Sequence, residues 1–398
     1  MSGWKEFTLN EIADFPPVVK LYRGYEYSFI KMEDISVGQR FVLPEEKRRY
    51  ENSSCSKFGN DDILFARITP CLENGKIAQV KLRKNNSGFG STEFFVFRGK
   101  KEKLNQSFLY YLAKSDLIWK SAVNSMVGAS GRQRADSGFL GNLRFRIPLL
   151  PIQRKIAAVL SAYDDLIENN NRRIAILEKM AEELYREWFV RLRFPGHEKV
   201  KIVKGVPDGW EPKRLKEVVD RKSFRKIYRE SELQPDGRII VIDQSVNEYL
   251  GFYDGEPEHR ASENRPIMLF GDHSCKMQIM IEPFSLAENV IPFVAKGKMP
   301  TAFLFYMIHN SIETTEYKRH WTELINKEIY IPKEHLQIEF AEKAITHIHQ
   351  KEKLVAMNRR IKIIRDRLLS RLMSGKIDVE NLDIQFPDSM KEEAAANA

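Results

Sequence analysis

The residues of this sequence that could do chemistry are basic and aromatic side chains in loops, not a recognisable catalytic set. A phosphate-binding P-loop needs Gly-Lys followed by Ser or Thr, and the Gly-Lys pairs at 75–76, 297–298 and 375–376 are followed by Ile or Met. The Asn/Asp-Pro-Pro-Tyr sequence that an amino-methyltransferase would use is absent, as is a paired-glycine turn suited to a nucleotide cofactor. We therefore predict that this chain binds no cofactor of its own.

Two weak signals for metal-dependent chemistry have simpler explanations. Asp208 and Glu211 mimic a nuclease carboxylate pair, but the gap between them is too short to place them on adjacent strands around Mg²⁺, and Pro-Asp-Gly favours a turn. His347 and His349 are two residues apart on a predicted helix, so they point to different faces. We expect solvated or packed histidines there and predict no metal site.

The first group of candidate contact residues belongs to the N-terminal part of the chain. Residues 51–146 contain 16 Lys and Arg against 8 Asp and Glu, so this segment carries an excess of positive charge. Arginine and glutamine on a glycine-flanked loop can bind base edges in a bidentate manner, while scattered lysines suit phosphates. The candidates for binding DNA are Arg67, Lys76, Lys81, Arg83, Lys84 and the loop residues Arg132, Gln133 and Arg134.

A second group of candidates lies in the C-terminal half. It comprises Lys222, Arg225, Lys226, Arg229, Asp272, His273, Lys276, Arg319, His320 and Trp321. For any one of these residues, a solvated surface charge is an equally good interpretation. The net charge of +9 favours a polyanionic partner, but charge alone leaves nucleic acid and an ordinary basic surface both open.

Two long helical patterns must position these loops. From Leu160 to Arg191, inward positions recur with alternating spacings of three and four residues, which is typical of a coiled-coil seam. A second pattern runs from Leu336 to Met373 and stops at Gly375. The predicted seam residues are Leu160, Ile167, Asn170, Ile174, Leu177 and Leu184 in the first helix and Leu354, Met357, Ile361, Ile364 and Leu368 in the second. Neither helix is apolar enough to cross a membrane.

The sequence repeats itself at the scale of half the chain. Ile-Pro at 147–148 with Gln153 returns 184 residues later, at 331–332 with Gln337. Asn-Arg-Arg-Ile occurs at 171–174 and at 358–361, and the segments that begin with Gly3-Trp4 and Gly209-Trp210 share a constant shift of 206 residues. The chain is therefore a tandem duplication in which a globular unit and a long helix each occur twice.

Short alternating segments predict the structure of the first globular unit. Glycine, asparagine and proline separate predicted strands at 27–32, 62–67, 76–82, 94–97 and 143–147, and residues 104–124 predict one helix. The tail after Phe386 is polar and alanine-rich and is predicted to be disordered. With 398 residues, 42% of them hydrophobic, the chain is long enough for two or three well-packed domains.

The three cysteines and the N-terminus bear on the location of the protein. Cys55, Cys71 and Cys275 are an odd number without the spacing of metal ligands, which favours a reducing cytoplasm over a disulfide framework. The first residues lack the apolar segment of an export signal. We predict a cytoplasmic protein.

The order of unit, helix, unit and helix, with Ile-Pro and Gln at the start of each helix and Asn-Arg-Arg-Ile inside it, resembles the specificity subunit of type I restriction-modification systems. The Leu64-Phe65-Ala66-Arg67 strand and the two Gly-Trp starts are similar to that family's recognition domains. Departures from the family pattern exist at 149–151 and 333–335, where a Pro-Pro-x-x-Glu-Gln sequence is usual. Only the glutamine is kept, at 153 and 337.

The resemblance implies an α+β fold with an internal pseudo-two-fold tandem repeat. Two similar α/β target-recognition domains, 1–147 and 196–332, would be separated by spacer helices 148–195 and 333–376 in an antiparallel coiled coil, followed by a tail at 377–398. Each domain would read one half of a split, asymmetric site in double-stranded DNA. Two methyltransferase subunits and two restriction subunits would supply adenine methylation and cleavage, with S-adenosylmethionine, ATP and Mg²⁺ bound outside this chain.

Two other classes of function stay open at the level of sequence. The chain could be a self-contained methyltransferase or nuclease with an unrecognised motif, which binding of S-adenosylmethionine by the purified chain would indicate. It could also be a coiled-coil scaffold without DNA affinity, against which salt-dependent binding to duplex DNA would count.

Overall fold

The computed structural model describes residues 3–51, 54–82, 87–129, 131–245, 248–312 and 318–391. The chain divides into two compact units, Met1–Asn169 with Arg360–Ala398, and Asn170–Arg359. Both boundaries fall inside long helices, so each unit includes parts of both helices. The predicted domain bounds stay a prediction.

The first unit alternates short strands with short helices before the first long helix begins. Its elements are β1 (Lys5–Thr8), α1 (Leu9–Ile12), β2 (Ala13–Asp14), β3 (Glu26–Ile30), β4 (Phe41–Val42), β5 (Glu46–Arg49), β6 (Ser56–Gly59), β7 (Ile63–Ala66), β8 (Ile77–Val80), β9 (Ser87–Gly90), β10 (Phe94–Gly99), α2 (Gln106–Lys114), α3 (Trp119–Asn124), α4 (Ser137–Asn142), β11 (Arg144–Ile147) and α5 (Leu150–Tyr185). The order of β3, β7, β8, β10 and β11 agrees with the strands predicted from the sequence.

The second unit repeats this plan with fewer strands. A π-helical turn, Arg186–Val190, extends α5 and is followed by β12 (Ile202–Val203), β13 (Val206–Pro207), β14 (Glu211–Arg214), α6 (Leu215–Val218), β15 (Val219–Arg221), β16 (Ile239–Ile242), β17 (Gly251–Tyr253), β18 (Ile267–Gly271), β19 (Met277–Met280), β20 (Phe284–Leu286), β21 (Val290–Ala295), α7 (Thr301–Ile308), α8 (Trp321–Ile325), β22 (Glu328–Ile331) and α9 (Glu334–Met373).

The two units share their sheet topology. The main sheet of the first unit has the order β2-β10-β7-β8-β4, and that of the second has the order β15-β21-β18-β19. A further sheet in each unit contains one parallel pair, β3 with β9 and β16 with β20, while β1 pairs with β11 and β14 with β22. The predicted tandem duplication is therefore present in the strand order as well as in the motifs.

Buried side chains on both faces of the main sheets explain their apolar strands. All four residues of β7 are buried, with Phe65 in one core cluster and Leu64 in another on the opposite face. Leu269 and Phe270 of β18 divide between two clusters of the second unit in the same way. Successive side chains of a strand point to opposite faces of the sheet. A strand in a sheet that is covered on both faces therefore has a continuously apolar sequence.

The repeated glutamines fix the start of each long helix. Gln153 Nε2 donates to the Pro148 carbonyl at 2.9 Å, and Gln337 Nε2 donates to the Pro332 carbonyl at 2.7 Å. Gln153 Oε1 also accepts from the Asn105 backbone N–H at 2.9 Å. Because these backbone groups are buried, the amide satisfies hydrogen bonds that water cannot reach. This need explains why Gln stays in both copies of a divergent repeat.

Polar side chains pair α5 with α9 inside each unit. In the first unit, Arg365 Nη1 donates to Asp164 Oδ1 at 2.6 Å, and the hydroxyl of Tyr111 donates to the other oxygen of that carboxylate. In the second unit, Lys351 Nζ lies 3.3 Å from Glu178 Oε1. Later residues of α9 pair with earlier residues of α5, so the two helices run antiparallel, as predicted.

The seam of α9 differs from the prediction at two positions. Met357 and Ile364 were predicted to face the seam, yet they are 45% and 46% exposed. The following residues, Asn358 and Arg365, take the buried positions because they have polar partners on α5. The other predicted seam residues are buried or partly buried: Leu160, Ile167, Asn170, Ile174, Leu177, Leu184, Leu354, Ile361 and Leu368.

Two further expectations need correction. The single helix predicted at 104–124 is interrupted between α2 and α3, where the Ser115 hydroxyl donates to the Leu112 carbonyl at 2.6 Å and ends α2. The tail after Phe386 begins with an ordered 3-10 turn, Asp388–Met390, because Met390 packs into the core of the first unit. Residues 392–398 lie outside the described residues.

No helix among the described residues is long and apolar enough to span a membrane.

Candidate nucleic-acid interface

The glycine-flanked loop of the first unit is tied to the end of β7 by backbone hydrogen bonds. Val127 and Arg134 exchange N–H to carbonyl hydrogen bonds of 3.0 Å, which close the loop. The Thr69 N–H donates to the Gln133 carbonyl at 3.0 Å, and the Ala135 N–H donates to the Arg67 carbonyl at 2.8 Å. The predicted contact residues Arg67, Gln133 and Arg134 therefore belong to one site.

A single carboxylate holds two of the predicted arginines. Arg134 donates from Nε to Glu93 Oε2 at 2.9 Å and from Nη2 to Glu93 Oε1 at 2.7 Å, and Arg67 Nε lies 3.7 Å from Glu93 Oε2. These hydrogen bonds from Arg134 hold the pKa of Glu93 below its usual value, so the carboxylate stays ionised. Arg67 also lies over the Phe95 ring, 5.1 Å from its centroid.

Arg132 differs from its two neighbours in the loop. Its side chain is exposed, and its guanidinium has no ion pair or hydrogen bond with any part of the chain that the structure describes. Gly128 and Gly131, which both precede Arg132 in the loop, have positive φ values of 135° and 78°, which a side chain would disfavour. The loop geometry thus presents a free cation at Arg132, while Gln133 is half-buried and Arg134 is paired.

Two of the predicted lysines of the first unit, Lys76 and Lys81, have structural partners. Lys76 Nζ donates to the Met32 carbonyl at 2.8 Å, and Lys81 Nζ lies 2.7 Å from Asp61 Oδ1. Arg83 and Lys84 lie outside the described residues. Any DNA contact of these four residues stays a prediction.

In the second unit, the basic segment between β15 and β16 combines lysines in ion pairs with exposed arginines. Lys222 lies 2.7 Å from Asp220, and Lys226 lies 2.8 Å from Glu232. Arg225 and Arg229 are exposed, and each backbone N–H is fixed by a glutamate at 2.9 Å. The structure thus places the four predicted residues on one exposed segment.

Aromatic side chains lie beside basic residues in both units, and the sequence reasoning missed them. Tyr22 and Tyr25 of the first unit are 65% and 66% exposed and lie beside Arg23. In the second unit, the rings of Tyr228 and Tyr253 stack with centroids 4.3 Å apart, and Lys226 lies over Tyr228. Aromatic residues interleaved with Arg and Lys in a loop were the available signal, since this combination suits nucleic acid.

The predicted group around Asp272 is mainly structural. Asp272 is buried and accepts two hydrogen bonds from backbone N–H groups. The Trp321 N–H donates to Asp272 Oδ1 at 2.9 Å, and the His320 N–H donates to the Asp272 backbone carbonyl at 2.8 Å. The His320 side chain is only 1% exposed, and its Nδ1 lies 3.2 Å from Glu323 Oε2. A contact of His320 with DNA stays a prediction. Trp321 packs on Phe293, with ring centroids 5.1 Å apart.

The remaining predicted residues of the second unit border this buried group. The Arg319 guanidinium is exposed and lies 3.8 Å from Asp272 Oδ2. The His273 N–H donates to Gln244 Oε1 at 3.0 Å, and burial lowers the pKa of Lys276. Contacts of these residues with DNA stay predictions.

No cluster of three His, Cys, Asp or Glu side chains that could hold a metal ion occurs among the described residues. His347 Nδ1 lies 3.0 Å from the Lys343 carbonyl, and His349 Nδ1 lies 3.5 Å from Glu263. The described surface therefore offers hydrogen-bond donors, cations and aromatic rings for binding.

Comparisons with known proteins agree with this description. The family model described as "Type I restriction modification DNA specificity domain" matches residues 1–179. The MjaIX specificity subunit of Methanocaldococcus jannaschii is 26% identical over 95% of this chain and 89% of its own length. The EcoAI specificity subunit of Escherichia coli is 30% identical over 46% of this chain and 32% of its own length.

A solved structure shares the fold. The S subunit of a type I restriction-modification system from M. genitalium superimposes with a TM-score of 0.51 and 16% sequence identity, covering 97% of this chain and 96% of that one. Its likeness extends over both units and both long helices.

The duplicated scaffold with its basic and aromatic loops agrees with a protein that recognises DNA sequence. The chain is similar over 95% of its length to a specificity subunit of a type I restriction-modification system, and residues 1–179 match the DNA specificity domain of that class. The function predicted from the resemblance, that of a DNA sequence-recognition subunit, is confirmed.

Proposed function

We propose that this chain reads a bipartite, asymmetric site in double-stranded DNA and directs partner subunits to it. One observation carries the proposal: the two units share their scaffold and differ in the side chains they expose. The parallel strand pairs and the glutamine contacts at the helix starts recur in both units. The free arginine of the first unit lies on the loop before α4, whereas the basic segment of the second unit lies between β15 and β16.

Different exposed side chains on one scaffold are what two readers of different sequences require. Phosphate contacts position a protein on DNA, while hydrogen bonds to base edges give specificity. Arg132 in the first unit and Arg225 in the second are exposed donors on fixed backbone, which suits either kind of contact. Because the two units expose different hydrogen-bond donors, we expect them to bind half-sites of different sequence.

The long helices support a proposal about partners. Ile176 and Met180 lie one turn apart on α5 and are each more than half exposed, and Met357 on α9 is 45% exposed. Monomeric proteins seldom expose apolar side chains at helical spacing without a partner. We assign these residues to the docking of two modification subunits, with two restriction subunits completing the assembly.

Catalysis belongs to those partner subunits in this proposal. Adenine methylation needs S-adenosylmethionine, and cleavage driven by ATP needs Mg²⁺ as well. The chain carries no Gly-Lys-Ser/Thr sequence. We propose that it acts in the cytoplasm, where DNA and these cofactors are found.

Binding measurements with purified components test the proposal. We expect the chain in complex with its modification subunit to bind duplex DNA, and we expect the logarithm of the affinity to fall linearly with the logarithm of salt concentration. We expect the chain by itself not to bind S-adenosylmethionine. Salt-independent or undetectable DNA binding would favour a scaffold, and tight binding of S-adenosylmethionine by the lone chain would favour an enzyme.

A further inference from the structure

Glu93 lies at the centre of the loop site, and the sheet holds it there. Its carbonyl accepts from the Arg67 N–H at 3.0 Å, and its own N–H donates to Ser91 Oγ at 3.2 Å. The next residue, Phe94, pairs with Ala66 in the ladder between β10 and β7. The carboxylate is therefore fixed beside the end of β7 and is 23% exposed.

This carboxylate largely neutralises the arginine that faces it. Arg134 makes two hydrogen bonds to Glu93, at 2.9 and 2.7 Å, in the bidentate geometry that gives the strongest pairs between guanidinium and carboxylate. Arg67 Nε, at 3.7 Å from the same carboxylate, is buried and has no hydrogen-bond partner among the described residues. Two cations and one anion thus share a site from which Arg132 projects free.

We infer that Glu93 is a specificity-determining positioning residue for DNA recognition by the first unit. It keeps Arg134 and Arg67 from attracting phosphates of any sequence, so that the loop contributes mainly through Arg132 and its neighbours. This inference rests on the proposed function, because it requires that the loop contacts DNA.

The physical reason is a competition for the guanidinium. A phosphate that approaches Arg134 must displace a carboxylate that already makes two charge-assisted hydrogen bonds, and it also meets the negative charge of Glu93. Non-specific binding depends almost entirely on phosphate contacts, whereas specific binding adds base contacts. A residue that suppresses phosphate contacts therefore raises the ratio of specific to non-specific affinity.

The substitution Glu93→Gln separates this role from that of a simple loop brace. Glutamine keeps the shape of the side chain and can still accept one hydrogen bond from Arg134, but it no longer neutralises the guanidinium. Glu46→Gln is a matched control, since Glu46 of β5 also lies beside two cations of this unit, 2.6 Å from Lys31 and hydrogen-bonded to Arg48, neither of which is a candidate DNA contact.

The measurement is equilibrium binding of the assembled complex to two short duplexes over a series of salt concentrations. One duplex contains the target site that the complex methylates, and the other lacks that site. For Glu93→Gln we expect a severalfold gain in affinity for the duplex without the site. The slope of log affinity against log salt should steepen by about 0.9 for each phosphate newly contacted. The ratio of specific to non-specific affinity should fall, while Glu46→Gln should leave it unchanged.

A double variant identifies the source of the gain. If Arg134 makes the new phosphate contact, Arg134→Gln in the Glu93→Gln background should return the non-specific affinity and the salt slope towards those of the unmodified complex. A gain that persists in the double variant would contradict the role given to Arg134.

Two results would overturn the inference while leaving the proposed function intact. Equal gains for Glu93→Gln and Glu46→Gln would show an effect of total charge alone. Weaker binding of Glu93→Gln to the duplex with the target site, with an unchanged salt slope, would show that Glu93 only holds the loop in its conformation. If instead the unmodified complex showed no preference for the duplex with the target site, the proposed function itself would fail.

Discussion

Asn170 Nδ2 donates a hydrogen bond to Asn358 Oδ1 at 2.8 Å, and both residues are buried, with 2% and 3% of their surface exposed. Asn358 Nδ2 in turn donates to Asn171 Oδ1 at 2.9 Å. Asn171 and Asn358 are the first residues of the duplicated Asn-Arg-Arg-Ile motif. Equivalent residues of the two repeats therefore contact each other across the antiparallel helices, and the amides fix their register.

Replacing one member of this pair should destabilise the helices. Asn170→Ala leaves Asn358 Oδ1 buried without its hydrogen-bond donor, which costs about 1–3 kcal/mol. Asn169→Ala is the control, because Asn169 is the same residue type one position earlier and is exposed. This substitution should change the free energy of unfolding by no more than about 0.5 kcal/mol. Chemical unfolding monitored by circular dichroism measures the free energy of unfolding of both variants. Equal losses of stability would show that the buried asparagine pair contributes no more than an exposed asparagine.

Arg132→Ala tests whether the free arginine reads bases. A base contact should cost about 1–3 kcal/mol of binding and relax the preference at one position of the target, whereas a phosphate contact should weaken all sequences alike. Arg144→Ala serves as control, since Arg144 is an exposed arginine of the same unit that lies 3.6 Å from Glu6. Selection of bound duplexes from a randomised pool measures both quantities. Binding equal to that of the unmodified complex in both respects would return Arg132 to an ordinary surface charge.

Two buried histidines predict how the stability of the second unit depends on pH. Burial lowers the pKa of His259 and of His309 below the ordinary value of 6.5. The unfolded chain therefore takes up protons first as pH falls, so stability is complete above about pH 6.5 and decreases as the pH falls through that value. The His259 ring stacks on Phe284 with centroids 4.9 Å apart, and its Nε2 has no partner among the described residues.

The pH prediction has a direct test in the variant His259→Phe. Its melting temperature should fall less between pH 7.5 and pH 5.5 than that of the unmodified chain, because one ring no longer takes up a proton on unfolding. His335→Gln changes an exposed histidine and should keep the original pH dependence. Parallel curves for all three proteins would mean that His259 does not contribute.

The helices should also set the spacing between the half-sites. The division between the compact units falls after Asn169 in α5 and after Arg359 in α9. Inserting four residues at both points lengthens each helix by about 6 Å and turns it by about 40°. With about 3.4 Å per base pair, the spacer should grow by one or two base pairs while both half-sites are unchanged. An unchanged spacer with full methylation would show that the helices do not set the distance.

Periodicity and repeated motifs predicted the long helices and the duplication because these features depend on apolar spacing within one segment. The seam of α9 was misplaced by one residue at Asn358 and Arg365, since hydropathy counts both as surface residues. Their burial depends on partners nearly 190 residues or more away in sequence, Asn170 and Asp164. No local pattern can supply that information.

The loop site shows the same limit. Sequence reasoning selected Arg132, Gln133 and Arg134 as equivalent members of a basic loop. Glu93, 41 residues from Arg134, separates them into one free cation and one paired cation. The residue types indicated the chemistry of the site, and the tertiary contact decided which side chain is available for it.

Exchange of one unit followed by mapping of DNA methylation tests the central claim most directly. The experiment replaces residues 1–146 by the equivalent unit of a related specificity subunit and determines the methylated sites in cells that also produce the partner subunits. Our account predicts that one half-site takes the sequence of the donor, while the other half-site stays as it was. A change in both half-sites, or in neither with methylation intact, would contradict the claim that each unit reads its own half of the target.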